Sequence, residues 1–301
     1  MNVRTHDAAR LVALAAIWGA SFVLVRVLAP VIGPWWVAAG RLLVGGVAIA
    51  VWLALAHRTV GVRAHWRAYA FVGVLNSALP FVLWAYAALR LPASYLVILN
   101  AMSPLFGAAI APFALGERLD ARRVGGLVAG TAGVVLVTRA VPVQADTAFV
   151  LALCAGLAAA LCYALSALWI KRRGAHLPPM GIAAWSQVFG GALVLPFAFP
   201  SHVTGPLDAS VGVNVVLLGL VCSGIAYVLY YRLIRDIGPT RALTVTFLIP
   251  AFGMLWAFWL LGESITAGMI GGAALIIGGT AAVLGQAAPA RHIRAPGNAS
   301  V

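Results

Sequence analysis

Long apolar stretches, separated by short joints rich in Pro, Gly or charged residues, dominate this chain of 301 residues. Each stretch is close to the roughly 20 apolar residues that one membrane-spanning helix needs. The pattern predicts an all-α polytopic membrane protein with ten transmembrane helices. They are placed at residues 8–28, 34–56, 67–89, 93–115, 121–138, 147–170, 179–199, 211–234, 239–261 and 266–285.

Basic residues alternate from side to side along these predicted helices. With the N-terminus inside, 16 of the 20 Lys and Arg residues fall in inner segments, whereas Arg26, Arg90 and Arg139 fall outside. Inner loops of membrane proteins carry an excess of Lys and Arg. The distribution therefore predicts an even number of spans, with the N- and C-termini both in the cytoplasm.

Composition leaves no room for a separate soluble domain, since 63% of residues are hydrophobic, 9% are charged and the mean hydropathy is +1.01. The net charge of +13 comes from short loop clusters rather than one basic surface, so no nucleic-acid partner is expected. The three cysteines lie inside predicted spans, which favours neither disulfides nor a zinc site. A bias toward Arg, Ala, Gly and Val is typical of a GC-rich bacterial genome and points to the bacterial inner membrane.

The two halves of the chain repeat each other. Residues 91–139 align on residues 237–285 at an offset of 146, with 12 of 49 positions identical. The first two predicted spans align on the sixth and seventh at an offset of 145. Matched Pro, Gly-Glu and Gly-Gly positions make the similarity specific to a repeat. The predicted units are a first five-helix repeat at 1–145, a second at 146–286 and a disordered cytoplasmic tail at 287–301.

An odd number of spans in each repeat has a topological consequence. The second copy must enter the membrane upside down relative to the first. Inverted repeats give a protein two related conformations that open to opposite sides, with a binding site between the halves near the midplane. The expected architecture is therefore two inverted five-helix repeats around a central cavity, working by alternating access.

Motifs in both halves carry a family resemblance. They are Trp18-Gly19-Ala20-Ser21-Phe22, Arg41, Pro104 with Gly116-Glu117, and Pro250 with Gly262-Glu263. On these residues the chain resembles the EamA family of the drug/metabolite transporter superfamily over residues 8–285. The resemblance implies ten helices around a central cavity, with the fifth and tenth packed at the periphery. It also implies export of amino acids or related metabolites.

Candidate cavity residues are polar or aromatic side chains inside the spans, several of them matched between the repeats. They are Trp18, Ser21, Asn76, Ser77, Asn100, Ser103, Tyr163, Ser166, Trp185, Tyr227, Tyr230, Thr244 and Phe247. Each of them is an alternative candidate for interhelical contact or for the lipid interface. Pro104 and Pro250 are candidate hinges or static kinks. Arg41 either attracts an anionic group of the cargo or is structural, and we favour the structural role.

Titratable groups are missing from the predicted midplane, because every carboxylate and histidine falls in a loop or at a span end. Membrane-embedded enzymes and proton relays normally need such groups. We therefore expect no enzyme activity, no metal and no cofactor. Facilitated diffusion or exchange is favoured over proton antiport.

The sequence predicts a secondary transporter or facilitator that exports small metabolites, amino acids first, across the bacterial inner membrane. A carrier for nucleosides, sugars or neutral xenobiotics is the alternative, followed by a non-transporting membrane scaffold or receptor. The expected partners are a small-molecule substrate and the lipid bilayer. The oligomeric state stays open, and a monomer is compatible with the sequence.

Overall fold

A computed structural model describes residues 5–116, 120–139 and 146–284, and every regular element within these ranges is a helix. Glu117 and the predicted tail at 287–301 lie outside the described residues. In chain order the helices are α1 (Thr5–Leu55), α2 (Val62–Ala87), α3 (Ala93–Asn100), α4 (Ser103–Leu115), α5 (Ala121–Arg139), α6 (Thr147–Arg173), α7 (Pro179–Ala198), α8 (Ala209–Ile237), α9 (Pro239–Ala242), α10 (Val245–Leu261) and α11 (Ala267–Leu284).

Eight of the described helices are long and apolar enough to cross a membrane. Helix α10 is a shorter apolar helix of 17 residues. The prediction of an all-helical, polytopic membrane protein is confirmed. The bilayer explains why these helices are apolar on all sides, because an internal helix face and a lipid-facing one both exclude charge.

Helix α1 is 51 residues long and contains one break in its backbone, at Gly33 (φ 78°, ψ 160°). A side chain with a Cβ rarely adopts this positive φ, so glycine suits the position. Pro34 follows directly and also interrupts the hydrogen-bond ladder. The break divides α1 into a first arm (residues 5–32) and a second arm (residues 34–55), each as long as one membrane crossing.

Helices α5 and α11 pack through two pairs of glycines. A Cβ on Gly126 would lie 2.6 Å from the carbonyl oxygen of Gly279, and one on Gly133 would lie 2.7 Å from that of Gly272. The order of the pairs shows that the two helices run antiparallel. The sequence offset of 146 matches Gly126 with Gly272 and Gly133 with Gly279, so each contact is the counterpart of the other.

The second arm of α1 packs against α7 in the same reciprocal way. A Cβ on Gly46 would lie 2.8 Å from the backbone nitrogen of Val188, and one on Gly191 would lie 2.8 Å from the Leu43 side chain. The offset of 145 matches Gly46 with Gly191 and Leu43 with Val188. Small residues let helix backbones approach closely in lipid, where packing rather than the hydrophobic effect drives association.

Two irregular segments were not expected from the sequence. Helix α2 contains a π-helical stretch at Val74–Ala78, and α8 contains one at Leu217–Ile225. The offset of 146 carries the first stretch into the second. Such π segments are rare and often lie at functional sites.

The two matched prolines sit in different backbone settings. Pro104 lies at the start of α4, just after the chain leaves helical hydrogen bonding at residues 101–102, whereas Pro250 lies inside the continuous helix α10. The break before α10 falls instead at residues 243–244. The matched sequence therefore does not produce matched kinks. The hinge role of Pro104 and Pro250 stays a prediction.

Glu263 joins the second half of the chain to α3. Helix α10 ends at Leu261 and is capped by Gly262 (φ 65°), and Glu263 then turns toward the start of α3. The Glu263 carboxylate accepts hydrogen bonds from the backbone nitrogen of Ala93 at 2.7 Å and from the backbone nitrogen and hydroxyl of Ser94 at 3.0 and 2.5 Å. A carboxylate at a helix N-terminus satisfies free N–H groups and complements the helix dipole.

We predict that Gly126→Ala destabilises the protein by about 1–3 kcal/mol, because the added Cβ forces α5 away from α11. Gly125→Ala is the matched control, since nothing lies within 4 Å of a Cβ at Gly125. Thermal unfolding in detergent measures both variants. Equal midpoints for the two would contradict the reciprocal glycine packing.

Glu263→Ala should lower stability by about 1–2 kcal/mol, since it leaves the first turn of α3 uncapped. The neighbouring substitution Ser264→Ala controls for changes in the loop, because Ser264 is exposed. Thermal unfolding again measures the difference. An unchanged midpoint for Glu263→Ala would show that solvent replaces the cap at no cost.

Candidate functional site

Four helices carry the polar side chains described next, and they meet in pairs through close backbone contacts. A Cβ on Gly73 of α2 would lie 2.6 Å from the carbonyl oxygen of Ser186 in α7. A Cβ on Gly219 of α8 would lie 3.2 Å from the carbonyl oxygen of Arg41 in the second arm of α1. The repeat offsets match Gly73 with Gly219 and Arg41 with Ser186. The π segment of α2 therefore lies against α7, and the π segment of α8 lies against the second arm of α1.

One hydrogen bond accompanies each of these contacts. The Ser77 hydroxyl donates to the Ser186 hydroxyl at 3.4 Å, and Arg41 Nε donates to the Ser223 hydroxyl at 3.0 Å. Ser77 and Ser223 are matched by the repeat, and so are Ser186 and Arg41. The two bonds are therefore counterparts, except that one half carries a hydroxyl where the other carries a guanidinium.

Arg41 is half-buried among neutral groups. Its guanidinium carbon lies 4.0 Å from the centre of the Phe81 ring, a cation–π distance. Tyr163 and Tyr227 lie within electrostatic reach of its charge. Among the described residues, no carboxylate lies within ion-pair distance of Arg41.

Ion pairs described for the chain lie instead at helix ends. Arg10 contacts Asp236 at 2.9 Å and Asp7 at 3.4 Å, which joins the first arm of α1 to α8. Arg26, the next basic residue along α1, donates to the carbonyl oxygen of Ala88 at 2.7 Å. Arg41 therefore differs from these basic side chains in having no negatively charged or carbonyl acceptor.

Aromatic side chains cluster near Arg41. The Trp18 ring lies 6.0 Å from Tyr227 and 5.4 Å from Tyr230, measured between ring centres. Trp18 Nε1 donates to the carbonyl oxygen of Cys222 at 3.2 Å, within the π segment of α8. Asn76 lies beside Tyr227. This group, called the central cluster below, presents π faces, hydroxyls and one amide around a single positive charge. Its members are Trp18, Arg41, Asn76, Phe81, Tyr163, Tyr227 and Tyr230.

Trp84 adjoins this cluster through Tyr163. It is 2% exposed, and its ring lies 5.5 Å from that of Phe22 in a T-shaped arrangement. Tyr163 of α6 lies beside it. The Trp84 indole nitrogen is buried, and the Tyr163 hydroxyl is the polar group beside it.

The structure brings together five of the candidate cavity residues, namely Trp18, Asn76, Tyr163, Tyr227 and Tyr230. Ser77 contacts Ser186 instead. Others make local contacts: the hydroxyls of Ser21, Ser103 and Thr244 donate to the carbonyl oxygens of Trp18, Ala160 and Arg241. Trp185 pairs with Phe189 at 5.9 Å, and Ser166 is buried with no partner for its hydroxyl among the described residues. Asn100 and Phe247 are half-buried. The cavity-lining role of all these residues stays a prediction.

The candidate list omitted Phe81 and Ser223, which contact Arg41, and Ser186, which contacts Ser77. The repeat carried a signal for all three. The offset of 145 carries Arg41 onto Ser186, and the offset of 146 carries Ser77 onto Ser223 and Phe81 onto the candidate Tyr227.

Comparison with known proteins gives relatives over most of the chain. An uncharacterized transporter of Bacillus subtilis (strain 168), YoaV, is 22% identical over 269 residues, covering 88% of this chain and 92% of the relative. A probable terminal-alkyne amino-acid exporter of Streptantibioticus cattleyicolor is 26% identical over 279 residues, covering 89% and 91%. A probable amino-acid metabolite efflux pump of Salmonella typhimurium is 27% identical over 203 residues, covering 62% and 66%.

A solved crystal structure shares the fold, with a TM-score of 0.66 and 20% identity, and the match covers 93% of this chain and 96% of the other. The profile of the EamA-like transporter family matches the sequence twice, at residues 9–139 and 150–285. These two matches follow the internal repeat and cover both sides of the central cluster. The chain belongs to the EamA-like transporter family.

Proposed function

We propose that the chain is a secondary transporter or facilitator that exports small metabolites, amino acids first, across the bacterial inner membrane by alternating access. Membership of a transporter family supports the class. Two relatives are named as probable exporters of amino acids or their metabolites, which supports the cargo. The observation that carries the mechanism is the reciprocal packing of repeat-matched residues around one central polar and aromatic cluster.

The proposed topology has ten spans in two inverted repeats, at 1–145 and 146–286. The two arms of α1 count as two spans, α3 with α4 and α9 with α10 as one each, and the remaining long helices as one each. Antiparallel packing of α5 on α11 supports the inversion, because repeat-matched helices inserted in the same sense would run parallel. The distribution of basic residues supports cytoplasmic termini.

Packing is tight at Gly253 of α10 and open at the matched Gly107 of α4. A Cβ on Gly253 would lie 2.6 Å from the Val97 side chain of α3, and one on Gly19 would lie 2.7 Å from the Gly253 backbone. Gly107, which the repeat matches with Gly253, has nothing within 4 Å of a Cβ. Two halves with equivalent sequence motifs thus take inequivalent packing. This asymmetry is what one of two alternating states requires.

The proposed topology gives this state a direction. Val97 follows the start of α3, which lies outside, so the tight contact closes the outer side. The open side at Gly107 then faces the cytoplasm. In the opposite state, Gly107 takes up the close packing and Gly253 is released.

Flux from reconstituted proteoliposomes tests the proposed transport. Vesicles are loaded with neutral amino acids, nucleosides and sugars and are followed with and without a pH gradient. We expect selective release of amino acids without a pH gradient. Release that depends on the gradient would contradict the proposed facilitator mechanism. Release of nucleosides or sugars alone would show that amino acids are not the cargo.

Trp18→Ala should lower this flux about tenfold, equivalent to about 1.4 kcal/mol, because the cluster loses the indole ring that contacts Tyr227 and Tyr230. Trp259→Ala is the matched control, since Trp259 is 64% exposed and distant in sequence from the cluster. The control should transport as the wild type does. Equal loss in both variants would point to a general effect on folding or reconstitution.

Gly107→Val and Gly253→Val test the two states. A Cβ at residue 107 has nothing within 4 Å in the present state, so the thermal stability of Gly107→Val should match that of the wild type. Transport should fall at least tenfold, because the opposite state cannot pack. Gly253→Val should lower stability, since its side chain collides with Val97. Wild-type transport by Gly107→Val would refute the assignment of Gly107 to the second state.

A further inference from the structure

In place of the structural role that the sequence favours for Arg41, we propose that its guanidinium binds the carboxylate of the transported solute. The cargo is then a monocarboxylate with an apolar or aromatic body, such as a neutral amino acid. This inference rests on the proposed transport function and adds the chemical group by which the cargo is recognised. It is argued from the hydrogen bonds of Arg41, from its counterpart in the other half and from its surroundings.

Arg41 has more hydrogen-bonding capacity than the protein uses. A guanidinium carries five N–H donors in a planar fork that matches a carboxylate. The structure gives Arg41 one hydrogen bond, from Nε to the neutral Ser223 hydroxyl, and one contact with the Phe81 ring. A charge inside a membrane protein is costly unless it is paired or faces water. No carboxylate from the described residues pairs with it, so a bound anion is the matching partner.

The counterpart of Arg41 in the other half shows that helix packing at this position does not require a charge. Ser186 occupies the matched place and makes the matched contact, with its carbonyl oxygen against Gly73 and its hydroxyl against Ser77. A short hydroxyl therefore satisfies the same helix contact. The guanidinium adds a charge and a longer reach on one side of the cluster, and these features suit a ligand rather than packing.

The surroundings of Arg41 fit the remainder of an amino acid. The Phe81 ring lies against the guanidinium, and Tyr163 and Tyr227 lie within electrostatic reach of its charge. Trp18 and Tyr230 continue the aromatic surface from Tyr227. Aromatic faces accept an apolar side chain, and they also attract an ammonium group through cation–π contact. A single guanidinium offers one fork, which matches one carboxylate. Dicarboxylates and phosphate esters would leave negative charge without a second cation in this cluster.

Paired substrates test the inference in proteoliposomes. Each neutral amino acid is compared with its own amide, which keeps the side chain and ammonium group but removes the anion. Wild-type protein should release the acid at least tenfold faster than the amide. In Arg41→Gln this ratio should fall to about one, while Arg41→Lys should keep the preference with a weaker apparent affinity.

Ser186→Ala provides the matched control, because it removes the counterpart hydrogen bond without removing a charge. It should keep the preference for the acid over the amide. An unchanged acid-to-amide ratio in Arg41→Gln would overturn the inference and leave the transport function in place. A ratio that falls equally in Arg41→Gln and Ser186→Ala would also overturn it, because the effect would then come from helix contact.

A second measurement works on the wild type and does not depend on transport. Phenylglyoxal modifies accessible guanidinium groups, and peptide mass analysis locates the modified arginine. Leucine should protect Arg41 at least tenfold better than leucinamide. Equal protection by the two probes, no protection by either, or protection by inorganic phosphate alone would overturn the carboxylate assignment. Protection by leucine in a protein that moves no amino acid would uphold the binding site and reject the proposed transport.

Discussion

Direct contact between helix backbones is the constraint on which this structure depends. Apolar side chains gain little by leaving lipid for a protein interior that is equally apolar, so helices associate through close packing and hydrogen bonds. Glycines at Gly126, Gly133, Gly272 and Gly279 remove the side chains that would keep α5 and α11 apart. The same device joins the second arm of α1 to α7 and α8. The central cluster is positioned by these contacts, since its side chains project from the helices that the glycines align.

Most polar groups inside the protein find their hydrogen-bond partners within it. Most hydroxyls inside the helices donate to a carbonyl oxygen one turn earlier, as Thr138 does to Val134, or to a neighbouring helix, as Ser103 does to Ala160. Backbone groups freed at helix starts are capped by acids, as Asp146 caps Phe149 and Glu263 caps α3. Arg41 stands apart from this pattern, because its Nε donates to the neutral Ser223 hydroxyl and no carboxylate among the described residues pairs with it.

Sequence patterns predicted the helical class, the membrane environment and the family, because these depend on long apolar runs and on a few spaced motifs. The residues that converge were harder to predict. Helices that are apolar on every side give no signal for their rotation. The candidates therefore include Trp185, although it contacts Phe189, and omit Trp84, although it lies beside Tyr163. The π segments at Val74–Ala78 and Leu217–Ile225 also change the facing of side chains within a helix. That change depends on neighbouring backbones rather than on local composition.

The reciprocal glycine contacts have the symmetry of a dimer. In a two-fold dimer of identical chains, residue i of one copy contacts residue j of the other, and residue j of the first contacts residue i of the second. Cut between its halves, this molecule would resemble such a dimer, with α5 meeting its own copy in the antiparallel sense. A single chain can carry different residues at the matched positions of its two halves, as it does at Arg41 and Ser186, whereas the copies of a homodimer cannot.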